Sequence, residues 1–392
     1  MTPAARRAGL ADILRCHASA YLAAHALSVA KAKVWRAIVA CRTAELGGHV
    51  ETCEACGAAR HVYHSCRNRH CPLCQTRAKE AWLVQRRREL LPVPYFHLVF
   101  TLPHELNGLI GQCPRALYET LFAAVSATLT EFAANPRWLG GTAAFTLVLH
   151  TWKQDLGRHV HVHALVAGGA LTAAGEWVGT ERGFLFPVKA LSKVFRGKFA
   201  DALKAQRQKG PPEGAAALDA QAWRTLLGRL FAHEWVVYAK QPLGGPGQVL
   251  EYLGRYTHRV AISNERILGV DAHEVRLRVR ETANGNKKRT LALPAHTFID
   301  RFLLHVLPPG FKRIRHYGVL GPAGKAVKLA QARAALAVPP PDPPVVESVA
   351  AFMRRIDRLA WMRCRHCGQG NCVPTAALAP LRERAPPPRA PP

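Results

Sequence analysis

Three histidines stand on alternate positions in "RHVHVHALVAGG", at His159, His161 and His163, and His150 lies just upstream. In a strand, alternate side chains share a face, so the three form a ladder of imidazoles. If a turn is centred near Asp155 and Leu156, antiparallel pairing puts His150 opposite His161, and opposed residues project from the same face. His150, His161 and His163 are then three nitrogen donors with coordination positions left open, which is what a catalytic metal requires. Gln154 is the alternative third ligand, and His159 sits at the rim.

A second kind of chemistry is carried by tyrosines. "EYLGRYTHR" spaces Tyr252 and Tyr256 four residues apart, on one face of a predicted helix. In isolation such a pair reads as core packing. A phenol with a pKa near 10 is a poor nucleophile at neutral pH. It can attack a phosphodiester when a metal polarises the phosphate and stabilises the developing charge. Two tyrosines allow two successive transesterifications, with no nucleotide cofactor.

Cysteines form the third group. Cys53-Glu-Ala-Cys56 and Cys71-Pro-Leu-Cys74 are two CxxC pairs with 14 residues between them. Two thiolate pairs joined by a short loop are expected to supply the four corners of a zinc site. Cys66, His64 and His70 are spare candidates inside the loop, and His70 is expected to face nucleic acid together with Arg67 and Arg69. Cys364 and Cys367, with Cys372, make an incomplete second motif.

These residues must be positioned by a folded, strongly basic chain. The sequence has 392 residues, 49% of them apolar and 20% charged, which suits globular domains rather than disorder. Its net charge of +28 calls for a polyanionic partner. Arg276, Arg278, Lys287 and Lys288 lie in a predicted hairpin turning at Asn284-Gly285, and Arg255 and Arg259 flank the tyrosines. The start of the chain lacks the apolar core of a signal peptide, and no run is long enough for a membrane span. Eleven cysteines without a leader suggest reduced thiols, hence a cytoplasmic setting.

Helical spacing runs from residue 8 to about 46 and again from Ala78. "YFHLVFTLP" reads as a buried strand, "ALYETLFAAVSATLTEFAAN" as an amphipathic helix, and "AAFTLVLHTW" with "HVHVHALVAGG" as a strand pair. Lys189 to Gly214 reads as charged and irregular. "AWRTLLGRLFAHEWVVYA" reads as a helix throughout, and "VPPPDPPVV" as a proline-rich linker.

In combination, "SCRNRHCPLCQ", "YFHLVFTLPHEL", "HVHVHALVAGGAL", "YLGRYTHRVAIS" and "FKRIRHYG" resemble, in order, the sequence blocks of the two-tyrosine HUH transposases of bacterial rolling-circle insertion sequences. The resemblance spans roughly residues 8 to 325. It implies an α+β fold in which an antiparallel-sheet HUH endonuclease core with flanking helices (residues 92–325) follows a small helical and zinc-ribbon domain (1–91). Residues 326–392 are then a linker and cysteine-containing tail. It further implies that His161 and His163 are the family's metal-binding pair and that Tyr252 and Tyr256 are its nucleophiles. Magnesium or manganese would be the catalytic ion, zinc the structural one, and single-stranded DNA at the element ends and target the partner. One tyrosine would hold a 5′-phosphate covalently and leave a free 3′-OH. Val160 replaces a proline frequent in the family, and Arg259 stands near where related replication proteins have lysine. A rolling-circle replication initiator would use the same site. A zinc-dependent DNA-binding regulator would need neither tyrosine.

Overall fold

The computed structural model describes residues 8–180, 184–210, 218–243, 248–249, 254, 260–281, 287–341, 343 and 347–381. Its centre is an antiparallel sheet whose strands run in the order β11-β4-β5-β3-β7. These are β3 (Tyr95–Thr101), β4 (Thr142–Trp152), β5 (Arg158–Leu171), β7 (Val237–Leu243) and β11 (Ile314–Gly318). The short β6 (Trp177–Gly179) pairs with the far end of β5.

Strand alternation gives this sheet two unlike faces. Phe96, Leu98 and Phe100 of β3, Phe145, Leu147 and Leu149 of β4, and Val160, Val162 and Val166 of β5 all enter one core. Two long helices cover it, α6 (Pro114–Ala134) and α7 (Val188–Gln208), together with α8 (Ala220–Phe231), while α5 (Asn107–Gln112) adds Ile110. The opposite face is apolar only at one end, where Tyr95, Ala144, Leu165 and Ala167 meet Leu91, Val249, Val319 and Ala332. The histidines occupy its other end.

Helix α7 falls where an irregular stretch is expected. Leu191, Phe195, Phe199 and Leu203 recur every four residues and are buried, an apolar stripe hidden in the sequence among lysines and arginines. The helix expected to run through "EWVVYA" ends instead at Phe231. Val237 opens an edge strand that pairs with β3, since the β-branched pair Val236-Val237 suits a sheet better than a helix.

A second core joins the two ends of the expected domain order. The helical pattern of residues 8–46 is broken into α1 (Leu10–Cys16), α2 (Ala18–Ala24) and α3 (Val29–Val39), the last capped by Ser28. Their apolar faces pack on a three-stranded sheet, β8 (Ile267–Val270), β9 (Glu274–Glu281) and β10 (Lys287–Pro294), and on α9 (Ala295–Leu303). Tyr21 donates to Asp300 at 2.5 Å. The N-terminal helices therefore share a core with β8, β9, β10 and α9. β9 and β10 pair as expected, while Asn284 and Gly285 lie outside the described residues.

The C-terminal segment also departs from a tail. After α10 (Lys325–Ala335) and α11 (Val349–Arg355), strand β12 (Cys372–Leu378) pairs with β1 (Gly48–Cys53), which pairs in turn with β2 (Ala59–Tyr63). Helix α4 (Gln75–Arg87) connects this region to the central sheet. Arg86 is paired with Glu89 at 2.5 Å, and Lys325 reaches the same carboxylate at 2.6 Å. No helix among the described residues is long and apolar enough to cross a membrane.

Candidate metal centre

The β4–β5 hairpin sets His150 directly opposite His161, and Val148 opposite His163. The ligand atoms of His150, His161 and His163 all lie within 4.8 Å of one another. His163 Nε2 is 3.2 Å from His161 Nε2 and 3.1 Å from His150 Nδ1. His150 is buried, with Trp152 stacked on its ring at 4.8 Å. His161 and His163 are half-buried.

What orients these rings is a set of hydrogen bonds behind them. His161 Nδ1 donates to the carbonyl of His159 at 3.0 Å, which leaves its Nε2 for the cluster. His163 Nδ1 lies 2.8 Å from Nε2 of His97, which extends from β3 on the same face. Burial holds the His97 imidazole neutral, its pKa pushed down to about 3, so its Nε2 can accept a hydrogen bond from His163 Nδ1–H, which leaves the other His163 nitrogen facing the cluster. Metal-binding histidines are held by partners of this kind. The sequence gives a hint of His97 in "YFHLVF", a polar residue inside an apolar strand, but nothing there names its partner.

Gln154 lies in the turn, beyond the paired strands, with its carbonyl accepting from Arg266. His159 is on the ladder's outer rung, its ring 5.8 Å from His104. Tyr252, Tyr256, Arg255 and Arg259 lie outside the described residues. The residues bracketing Tyr252 are described. Val249 is buried against Tyr95, Leu165 and Ala167, on the face that carries the histidines. A Cβ on Gly254 would come within 3.1 Å of Leu83 in α4.

The expected grouping of Cys53, Cys56, Cys71 and Cys74 in one site is corrected by the geometry. Cys71 and Cys74 converge with Cys41 and Cys66, while Cys53 and Cys56 converge with Cys364 and Cys367. The reason is topological. β1 and β2 carry the first CxxC pair away from the second, and Cys41, just past the end of α3, returns to the start of α4. Within the first group, Cys41 is 3.5 Å and Cys66 3.6 Å from Cys74, and Cys71 is 3.7 Å from Cys41. Tetrahedral thiolates about 2.3 Å from zinc stand about 3.8 Å apart, so this set fits the ion. The thiols also titrate against one another. Cys74 is pushed down, chiefly through its hydrogen bond with Cys41, and Cys71 is pushed up by the same neighbour. A dication in place of the shared protons resolves that conflict.

Of the expected DNA contacts, Arg67 is exposed, but Arg69 donates to the Phe311 carbonyl at 2.6 Å and is partly buried. His70 does not face outward for nucleic acid. Its Nε2 accepts from the Leu307 amide, and burial pushes its pKa down to about 3. Arg276, Arg278 and Arg280 alternate along the exposed face of β9, with Lys288 paired opposite Arg280. Lys287 is exposed at the start of β10. Val275, Leu277 and Val279 fill the opposite, buried face.

Residues 144–327 match a family described as "Putative transposase", and residues 13–102 match one described as "Transposase zinc-binding domain". The "Putative transposase y4qJ" of Sinorhizobium fredii is 43% identical over 373 residues, covering 93% of this chain and 94% of that protein. The chain belongs to the IS91 family of rolling-circle transposases. The transposase for insertion sequence element IS801 of Pseudomonas savastanoi pv. phaseolicola is 28% identical, over 88% of this transposase and 83% of its own length. A solved structure of the conjugative relaxase TrwC in complex with OriT DNA aligns at 14% identity, covering 62% of this chain and 72% of that one. Its TM-score of 0.23 leaves the fold of this transposase to rest on the topology described above. The matched zinc-binding region contains Cys41, Cys66, Cys71 and Cys74, and the transposase region contains the histidine hairpin and both tyrosines.

Proposed function

We propose that this transposase cleaves and rejoins single DNA strands at the histidine centre, with Tyr252 and Tyr256 as nucleophiles. The observation that carries the reading is the convergence of His150, His161 and His163 on the sheet face over which Val249, three residues before Tyr252, is packed. Manganese or magnesium bound by the three imidazoles would polarise the scissile phosphate; on donor softness, imidazole suits manganese better. The protein's own contribution is positional. His97 and the His159 carbonyl fix two of the rings, Trp152 covers the third, and the hairpin register sets their spacing.

In the cleavage step a tyrosine oxygen forms a bond to phosphorus, the bond from phosphorus to the 3′ oxygen breaks, and the released 3′-OH takes a proton. The 5′-phosphate stays on tyrosine, so the phosphodiester energy is retained and no nucleotide cofactor enters. The second tyrosine serves the other strand or the joining to the target. The basic face of β9 and β10 holds the phosphate backbone by charge.

The test uses the full-length chain, manganese and a labelled single-stranded oligonucleotide carrying an element end, resolved on a denaturing gel. A protein-linked band is expected from the native chain and from neither Tyr252→Phe/Tyr256→Phe nor His161→Ala. Phenylalanine keeps the ring and removes only the nucleophilic oxygen. An adduct persisting in the double tyrosine variant would assign the nucleophile elsewhere.

A further inference from the structure

The second cysteine cluster lies between segments from opposite ends of the chain. Cys53 and Cys56 end β1 and begin the turn into β2, whereas Cys364 and Cys367 precede β12. Cys53 Sγ is 3.8 Å from Cys367 Sγ, and Cys56 Sγ is 3.8 Å from Cys364 Sγ. These are the edge lengths of a tetrahedron of thiolates around zinc at about 2.3 Å, and far longer than a disulfide.

The two limbs are built alike. Each is a CxxCG turn, "CEACG" and "CRHCG", and the closing glycines, Gly57 and Gly368, both have φ of 71°. That left-handed conformation is the one a glycine supplies at least strain. The backbone amides of His366 and Gly370 point at the sulfurs of Cys364 and Cys367, each at 3.4 Å, as donors to thiolates do. Gly370 must be bare, because a Cβ there would lie 2.5 Å from Cys53 Sγ. The register of β1 with β12 brings the limbs together, with Cys53 opposite Cys372.

We infer that Cys53, Cys56, Cys364 and Cys367 bind a second zinc ion, which staples the C-terminal segment onto the N-terminal zinc-binding region. The strand order β12-β1-β2 is then a zinc ribbon assembled from both ends of the chain. The matched zinc-binding region stops at residue 102 and contains only half of these ligands. The inference is independent of the strand-cleavage reading, since no residue of the histidine centre takes part.

Zinc is measured per chain on the full-length protein, purified under reducing conditions and exchanged into metal-free buffer, with His161→Ala/His163→Ala in every sample so that the imidazole centre contributes none. With all cysteines native the chain should hold two equivalents. Cys53→Ser/Cys56→Ser and Cys364→Ser/Cys367→Ser should each hold one, and the fourfold variant should still hold one. Two equivalents remaining after Cys364→Ser/Cys367→Ser would overturn the inference, as would a single native equivalent that survives that change. Folding defects are avoided by a second measurement on native cysteines. A protease recognition sequence is inserted between Pro340 and Pro341 and cut. The C-terminal fragment should stay bound in the presence of reductant and leave when a zinc chelator is added. A fragment that leaves without chelator, or remains after chelation and reduction, shows that no metal holds it.

Discussion

His97 and His150 show how the proposed metal centre would depend on residues that a motif does not contain. His97 touches His163 at the nitrogen facing away from the cluster, so its loss leaves all three donors in place but frees one ring to turn. Partners of this kind are worth about 10–100-fold in metal affinity. His97→Ala should therefore raise the manganese concentration for half-maximal strand cleavage by about that factor, with activity recovering at high metal. His150→Ala removes a donor and should raise it further, whereas Gln154→Ala should leave it unchanged. Titrating manganese into the three variants checks the order. A larger effect from Gln154 than from His150 would mean that the turn residue supplies the third ligand.

At the scale of elements, what was legible depended on whether a pattern is local. The β4–β5 hairpin was readable because alternation and the length of the turn fix its register, and the β9–β10 hairpin because Asn284-Gly285 is a strong local turn signal. Helix α7 was hidden by its charge, and β7 by continuing directly from a helical pattern. The cysteines failed differently. Their candidacy as ligands is local, but their division between two clusters depends on where β1, α3 and β12 travel, which no spacing records. The face of β9 carries its own prediction. Arg278 and Arg280 are exposed, and Lys288 stands opposite Arg280, whereas Arg276 is paired with Asp271 and Glu274. Each phosphate contact to a single strand contributes about 0.7 to the slope of log affinity against log salt. Arg278→Gln/Arg280→Gln/Lys288→Gln should therefore lower that slope by about 2, while Arg276→Gln changes it less. Exposed substitutions of this kind shift stability by only about 0.5 kcal/mol each, so folding should survive. Fluorescence anisotropy with a labelled single strand across salt concentrations measures it. An unchanged slope in the triple variant would place the DNA on another face.

For the molecule as a whole, two neutral histidines, the buried His305 and the half-buried His316, link its parts. His316 in β11 donates from Nδ1 to Thr146 at 2.8 Å and meets Arg86 of α4 through Nε2 at 3.2 Å, linking the central sheet to the helix that follows the first cysteine cluster. His305, after α9, donates to the Leu156 carbonyl in the hairpin turn and accepts from Thr151, linking the second core to the histidine hairpin. Both are held neutral first by burial, with pKa values pushed down to about 4. In the unfolded chain each takes its proton near pH 6.5. Between these values the unfolded state binds more protons than the folded one, so acidification favours unfolding. The stability these groups confer is complete above about pH 6.5 and is lost as the pH falls through 4. Near pH 5 the pair should add nearly two protons to the uptake on unfolding, about one from each histidine. Urea unfolding at intervals from pH 7.5 to 4.5 gives this uptake as the slope of stability against pH. His305→Gln and His316→Gln should each remove about one proton from that slope, whatever they do to stability at pH 7.5. A native chain whose stability is flat between pH 6.5 and 5, or a slope unmoved by both substitutions, would show that the joints stay closed with these imidazoles protonated.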